Sequence, residues 1–364
     1  MTPLTNTAEV LDLLDRTPLT DVPPLCIAVG PWRLRLLCQP PLRDDLAEYF
    51  AETLAGDGPS DATVEVLEGQ TLDPAPIWRD WRREAGKTGR KDATWDLTDG
   101  RLIHKRRTGM TFLQSPRALI AFGPCRANPQ QIINFINTQI LNHGQRAGWQ
   151  MCHAAAVTNG PCGLAIAGLS GGGKSTSILR MLDIPGTAFV TNDRLLVRAA
   201  DRGTKGLGIP KQPRINPGTI LHNSRLHPLL SKARRAELAA MPPADLWALE
   251  EKHDLIVPRI YGPGRVRHDC ALTDFWVLNW QHDSPAPATV RDVSLPDRPD
   301  LLAAIMKAPG PFYQDAQGRF RADTDSLDPA AYLAALDGVR VREVAGRVDF
   351  DTLYRAGVDF LAPG

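Results

Sequence analysis

The chain has 364 residues, enough for two or three domains with substantial cores. Apolar residues make up 43% and charged residues 23%, the balance of an ordinary globular protein in water. A formal net charge of +1 gives no global pull toward nucleic acid or an anionic membrane, and no apolar run approaches the ~20 residues needed to span a bilayer, so neither partner is expected.

Residues 1–24 are polar. They carry one short helical run, Val10-Leu-Asp-Leu-Leu14, and end in Val22-Pro-Pro24. Met1 to Glu9 lack the basic-then-apolar layout of a signal peptide. The cysteines at 26, 38, 125, 152, 162 and 270 are scattered with no C-x-x-C pair, which predicts reduced thiols in the cytoplasm and no zinc site. Between 25 and 125 strand periodicity dominates. Trp32-Arg-Leu-Arg-Leu36 and Thr63-Val-Glu-Val-Leu67 alternate, and Leu42 to Phe50, after Pro40-Pro41, has a helical period. Asp99-Gly100 is a hairpin signal inside Leu97 to Leu102, and Met110 to Leu113 and Ala118 to Phe122 are further strands. Residues 25–127 are therefore expected to form a smaller, mainly antiparallel α+β domain behind a separate segment 1–24.

The second domain is drawn at 128–364. Asn128 to Asn142 opens Asn-Pro, a cap followed by a first-turn proline, and carries the stripe Ile132, Ile133, Phe135, Ile136, Ile140 and Leu141. It is expected to bridge the two domains. From about 149 the pattern becomes α/β, with strands at Ala188 to Asp193, Leu195 to Arg198 and Phe275 to Trp280. A glycine- and proline-rich stretch, Gly203 to Gly218, reads as a surface loop. A charged helical run from Lys232 to Lys252 is broken at Pro242-Pro243, and helices close the chain at Leu301 to Met306, Pro329 to Leu336 and Phe350 to Leu361.

Gly168, Leu169, Ser170, Gly171, Gly172, Gly173, Lys174 and Ser175 fill every fixed position of G-x-x-x-x-G-K-[ST], a phosphate loop. The apolar run Gly163 to Gly168 precedes it, and a helical run from Lys174 through Thr176 to Leu182 follows, with apolar Ile178, Met181 and Leu182. Strand, glycine loop and helix are the context this motif requires. Glycines let backbone N–H groups wrap an anion, and the helix N-terminus adds partial positive charge. Lys174 can reach the β- and γ-phosphates, and the Ser175 hydroxyl can hold Mg²⁺. ATP and Mg²⁺ are the cofactors this predicts.

Two further places carry chemistry. Asp193, in Thr191-Asn192-Asp193 at the end of the next strand, is positioned to share the Mg²⁺ with Ser175. His153, in Cys152-His-Ala-Ala-Ala-Val157, begins a strand expected to run beside the loop strand, so its ring is expected to face the transferred group. Lys211 and Arg214, and then Arg265 and Arg267, are candidate substrate contacts. The basic aromatic cluster from Trp78 to Arg107 is diluted by acids at 80, 84, 92, 96 and 99 and reads as a solvated face.

Together these residues resemble the HPr kinase/phosphorylase family. His153 stands fifteen residues before Gly168, and Asn192-Asp193 occupies the place of that family's acidic pair. Gly206-Leu-Gly-Ile209 is similar to its downstream element. Pro210 to Gly218 resembles the subgroup of HPr-kinase-related B kinases, and the likeness covers roughly residues 128–280. It implies a core shared with phosphoenolpyruvate carboxykinase, a mixed sheet with the loop at its edge. It also implies phosphoryl transfer from ATP or pyrophosphate to a protein serine, with relatives that act on peptides or free serine. Two departures stand out. Asn192 replaces the aspartate that the family uses as general base, and Gly203-Thr-Lys205 lacks the family's metal-binding glutamate.

The expected function is transfer of the γ-phosphoryl group to a hydroxyl, a serine on a small protein or peptide before a free metabolite, without phosphorylase activity. His153, Lys174, Asn192, Asp193 and Arg214 are the expected catalytic residues. The alternatives are a small-molecule kinase and a nucleotide-binding regulatory module. The oligomeric state is left open. Lys174→Ala is expected to abolish turnover with the fold intact, measured as phosphate transfer alongside circular dichroism.

Overall fold

The computed structural model describes residues 4–83, 88–168, 172–249 and 251–362. The chain is a mixed α/β protein that forms two compact units, residues 1–149 with 308–327, and residues 150–307 with 328–364.

The first unit contains α1 (Thr7–Asp12), β1 (Leu25–Val29), β2 (Trp32–Leu37), α2 (Leu42–Tyr49), β3 (Ala62–Glu68), β4 (Arg79–Asp80), β5 (Asp92–Asp96), β6 (Arg101–Lys105), β7 (Thr111–Gln114), β8 (Leu119–Gly123) and α3 (Pro129–Arg146). Its sheet runs β1-β2-β3-β8-β7-β6-β5-β4, parallel at β2–β3–β8 and antiparallel elsewhere. Alternation explains β2: Trp32, Leu34 and Leu36 are buried while the two arginines between them are not. Two expectations change here. Residues 1–24 are no separate segment, because Val10, Leu14 and Leu19 pack with Leu67, Leu102 and Ile120. Helix α3 belongs to this unit, whose boundary falls at 149 rather than 127. Its Phe135 joins Phe112 and Phe312 in an aromatic cluster, and Asn142 Nδ2 donates to the Phe312 carbonyl at 3.0 Å. The basic cluster is largely paired, Arg106 and Arg90 with Asp80, and Arg79 with Asp323.

The second unit contains β9 (Gln150–Cys152), β10 (Ala154–Thr158), β11 (Gly163–Gly168), α4 (Lys174–Leu182), β12 (Ala188–Thr191), β13 (Leu195–Ala199) and β14 (Thr204–Gly208). After these come β15 (Arg214–Ile215), α5 (Pro217–Leu221), α6 (Lys232–Ala239), α7 (Pro243–Ala248), β16 (His253–Asp254) and α8 (Val257–Tyr261). The chain continues through β17 (Asp269–Leu278), β18 (Thr289–Asp292), α9 (Pro299–Ile305), α10 (Pro329–Ala335), β19 (Arg340–Ala345) and α11 (Phe350–Leu361). The main sheet is ordered β12-β10-β11-β17-β14-β13-β9, and β19 pairs with β17 and β18.

Strand β11 is interior, antiparallel to β10 and parallel to β17. Strand β17 is long enough to pair with β14 along Asp269–Leu272 and with β19 along Asp274–Leu278. Helix α4 buries Ile178, Leu179, Met181 and Leu182 against Ala155, Val157, Leu164 and Ile166, with Leu353 and Leu361 of α11 in the same core. Full burial of each such aliphatic side chain contributes about 1.5–3 kcal/mol.

The stretch Gly203 to Gly218 is not wholly a loop, since β14 lies within it and inside the sheet. Its glycines permit the close approach. A Cβ on Gly206 would lie 2.8 Å from Cys270 Sγ, and one on Gly208 only 2.2 Å from the Val190 carbonyl oxygen. That second contact holds β14 against the end of β12, just before Asn192-Asp193. Gly208→Ala is expected to destabilise the protein by about 1–3 kcal/mol through overpacking. An unchanged thermal unfolding midpoint would contradict that packing.

Candidate active site

Strand pairing assembles the site. The register Ala154↔Ala167 runs β10 back along β11, so His153, just before β10, arrives beside Gly168 at the end of β11. Its backbone N–H donates to the Ile305 carbonyl at 2.8 Å, which anchors this crossover from β9. Ala156↔Thr191 pairs β12 on the other side of β10, so the turn Asn192-Asp193-Arg194 leaves the sheet near the same point.

Asp193 is the centre of the cluster. Its Oδ1 lies 3.2 Å from His153 Nε2, and its Oδ2 lies 2.8 Å from Arg194 and 3.7 Å from Lys211 Nζ. Burial alone would raise this carboxyl, but Arg194, the His153 hydrogen bond and Lys211 outweigh it, so Asp193 stays well below the usual carboxylate range. The hydrogen bond that His153 donates to Asp193 favours the protonated ring. Burial and the cations Lys174 and Arg194 prevail, and the ring lies below its ordinary value. A neutral imidazole beside an ionised carboxylate must carry its proton on the facing nitrogen, Nε2. His153 is thus directed at Asp193.

Lys174 opens α4, and its Nζ donates to the Gly168 carbonyl at 3.2 Å. Burial, with Arg194 and Lys307, pushes its ammonium down against the opposing pull of Asp193. Gly173, the N-cap of α4, has φ +84°, a conformation that L side chains rarely adopt. A Cβ there would also meet the Phe350 ring at 2.8 Å. Trp280 Nε1 donates to the Gly172 carbonyl at 2.9 Å, and its ring meets Phe350 edge-on at 5.1 Å. Gly168 is equally constrained, since a Cβ there would lie 2.9 Å from Leu278 Cβ on the parallel neighbour β17. Leu169, Ser170 and Gly171 lie outside the described residues. Ser175 is half-buried in the first turn of α4, and no hydrogen bond joins it to Asp193 among the described residues. Thr176 shares a 2.7 Å hydrogen bond with Thr219. Asn192 Oδ1 is buried without a hydrogen-bond partner among the described residues.

The basic candidates separate. Lys211 joins the cluster. Arg214 does not, because its Nε pairs with Asp254 at 2.7 Å across the β15–β16 ribbon. Arg265 is structural: it donates to the carbonyls of Thr187 and Leu182, at the C-terminal end of α4. Arg194, Lys307, Trp280 and Phe350 had no motif to mark them. Arg194 stood next to Asp193 in sequence, and that adjacency was the one signal available.

No family model and no curated protein matches this sequence. Among solved structures, the Hpr(Ser) kinase/phosphatase from Coxiella burnetii is similar at 14% identity and a TM-score of 0.28, over 57% of this chain and 95% of that one. No helix among the described residues is long and apolar enough to cross a membrane.

The His153–Asp193 contact has a direct readout. In Asp193→Asn the negative charge that favours the imidazolium is gone, so the His153 pKa falls further. Proton NMR titration of the metal-free protein checks this, and an upward shift would contradict the assigned pairing.

Proposed function

We propose that the chain is an ATP- and Mg²⁺-dependent phosphotransferase that moves the γ-phosphoryl group to a hydroxyl, in the first instance a serine on a small protein or peptide. One observation carries the reading. Lys174, at the glycine-capped start of α4, lies in the field of an ionised Asp193 that also gathers His153, Arg194 and Lys211. The motif resemblance described above adds the acceptor class.

In this reading the N-terminus of α4 and the backbone around Gly172-Gly173 receive the polyphosphate. Lys174 and Arg194 supply positive charge where it builds up on the transferred group. Asp193 and Ser175 are hard oxygen donors of the kind magnesium takes, and the low carboxyl pKa of Asp193 keeps it ionised for that role. They are only two, and among the described residues no cluster of three His, Cys, Asp or Glu side chains could hold a metal. A magnesium ion held there by protein, water and phosphate oxygens would neutralise phosphate charge. His153 is neutral and spends Nε2–H on Asp193, so Nδ1 is its proton-accepting atom. Asn192 orients but cannot exchange a proton, so the reverse reaction, which needs an acid, is disfavoured. Phosphoryl transfer tolerates this loss, because positioning and charge stabilisation provide most of its catalysis.

A nucleotide-binding module without transfer is the second reading, favoured by Asn192 and by an Asp193 whose two oxygens are both engaged. Purified protein with labelled ATP, Mg²⁺ and a panel of proteins, peptides and amino acids separates the two. Transfer predicts label on serine, a loss of about 10²-fold or more in Lys174→Ala, and no phosphorolysis of phosphoserine by inorganic phosphate. ATP binding with no labelled acceptor in the panel favours the module.

A further inference from the structure

Beside the first turn of α4 opens a cleft of about 430 Å³, lined by Thr176, Arg180, Thr219, His222, Arg347 and Phe350. The geometry points to this cleft as the subsite for the base and ribose of a nucleoside triphosphate. The assignment rests on the nucleotide reading above and adds where the nucleoside lies and what holds it.

Three observations carry it. The volume falls within the ~300–1,000 Å³ of small-ligand sites. The cleft also shares a wall with Gly173, because the Phe350 ring that lines it is the group that a Gly173 Cβ would strike, at 2.8 Å. Finally, the first turn of α4 has two differently furnished sides. Lys174 reaches to Gly168 and feels Asp193, whereas the Thr176 hydroxyl, two residues on, bonds Thr219 in the cleft. A ligand lying across this helix start would place one end at the Asp193 cluster and the other in the cleft.

The lining suits a nucleoside. Phe350 offers an aromatic ring on which a base can stack. Thr176, Thr219 and His222 offer hydroxyl and ring-nitrogen partners for polar edges. Two carboxylates also line the cleft and are engaged: Asp351 pairs with Arg180, and Asp349 caps α11 by accepting from the Asp351 and Thr352 N–H groups. Arg347 is exposed and forms no salt bridge among the described residues, which leaves its guanidinium for a ligand.

Photolabelling of the full chain with 8-azido-ATP and peptide mapping tests the assignment without any substitution. The expected label falls within residues 217–223 or 347–354. A label elsewhere, with ATP still bound, overturns the subsite and leaves the nucleotide reading standing. A parallel titration compares ATP with inorganic tripolyphosphate in wild type and in Thr219→Trp, which fills the cleft. ATP affinity is expected to fall about tenfold, toward that of tripolyphosphate, while tripolyphosphate is unaffected. Unchanged ATP affinity, or equal losses for both ligands, overturns the proposal. If wild type binds neither ligand, the nucleotide reading fails and the subsite fails with it.

Discussion

A largely buried carboxylate can stay ionised only if the fold brings it compensating charge, and the candidate site is organised around that requirement at Asp193. Its partners come from three separate stretches: His153 from the β9–β10 crossover, Arg194 from the turn after β12, and Lys211 from the segment after β14. Each stretch adjoins a strand whose sheet hydrogen bonds do not depend on the charge. The carboxylate therefore does not assemble the site. It exploits a meeting point that strand pairing had already created.

The opposite side of the same region is built by close packing. Gly173 needs both a positive φ and the absence of a side chain, since Phe350 occupies the space where a Cβ would stand. Trp280 ties the Gly172 carbonyl to the end of β17 and braces Phe350. Helix α4 thus begins between a charged flank, where attraction sets the distances, and an aromatic flank, where steric exclusion does. The proposed division of a nucleotide into a reacting end and a nucleoside end follows that asymmetry.

Much of the local structure was legible because it depends on short-range periodicity. The strands at 32–37, 62–68, 111–114, 119–123 and 195–199, and the closing helix at 350–361, stand where alternation or a helical stripe placed them. The misreadings share a cause. Strand β14 was obscured because its glycines serve a close approach by Val190 and Cys270, which come from other parts of the chain. Helix α3 announced an apolar stripe but not the surface that would cover it, and Phe312, nearly two hundred residues on, is part of that surface.

The site divides in the same way. Sequence alone determined the glycine run, the lysine and serine after it, and the spacing to His153 and Asp193, because these are features of residue type and order. Only the tertiary structure decided that His153 turns to Asp193, that Lys211 joins the cluster while Arg214 is held by Asp254, and that Arg265 caps a helix end. Which cation reaches a carboxylate depends on angstrom-scale distances set by strand register and packing. A one-dimensional pattern carries charge and spacing along the chain, but not distance across it.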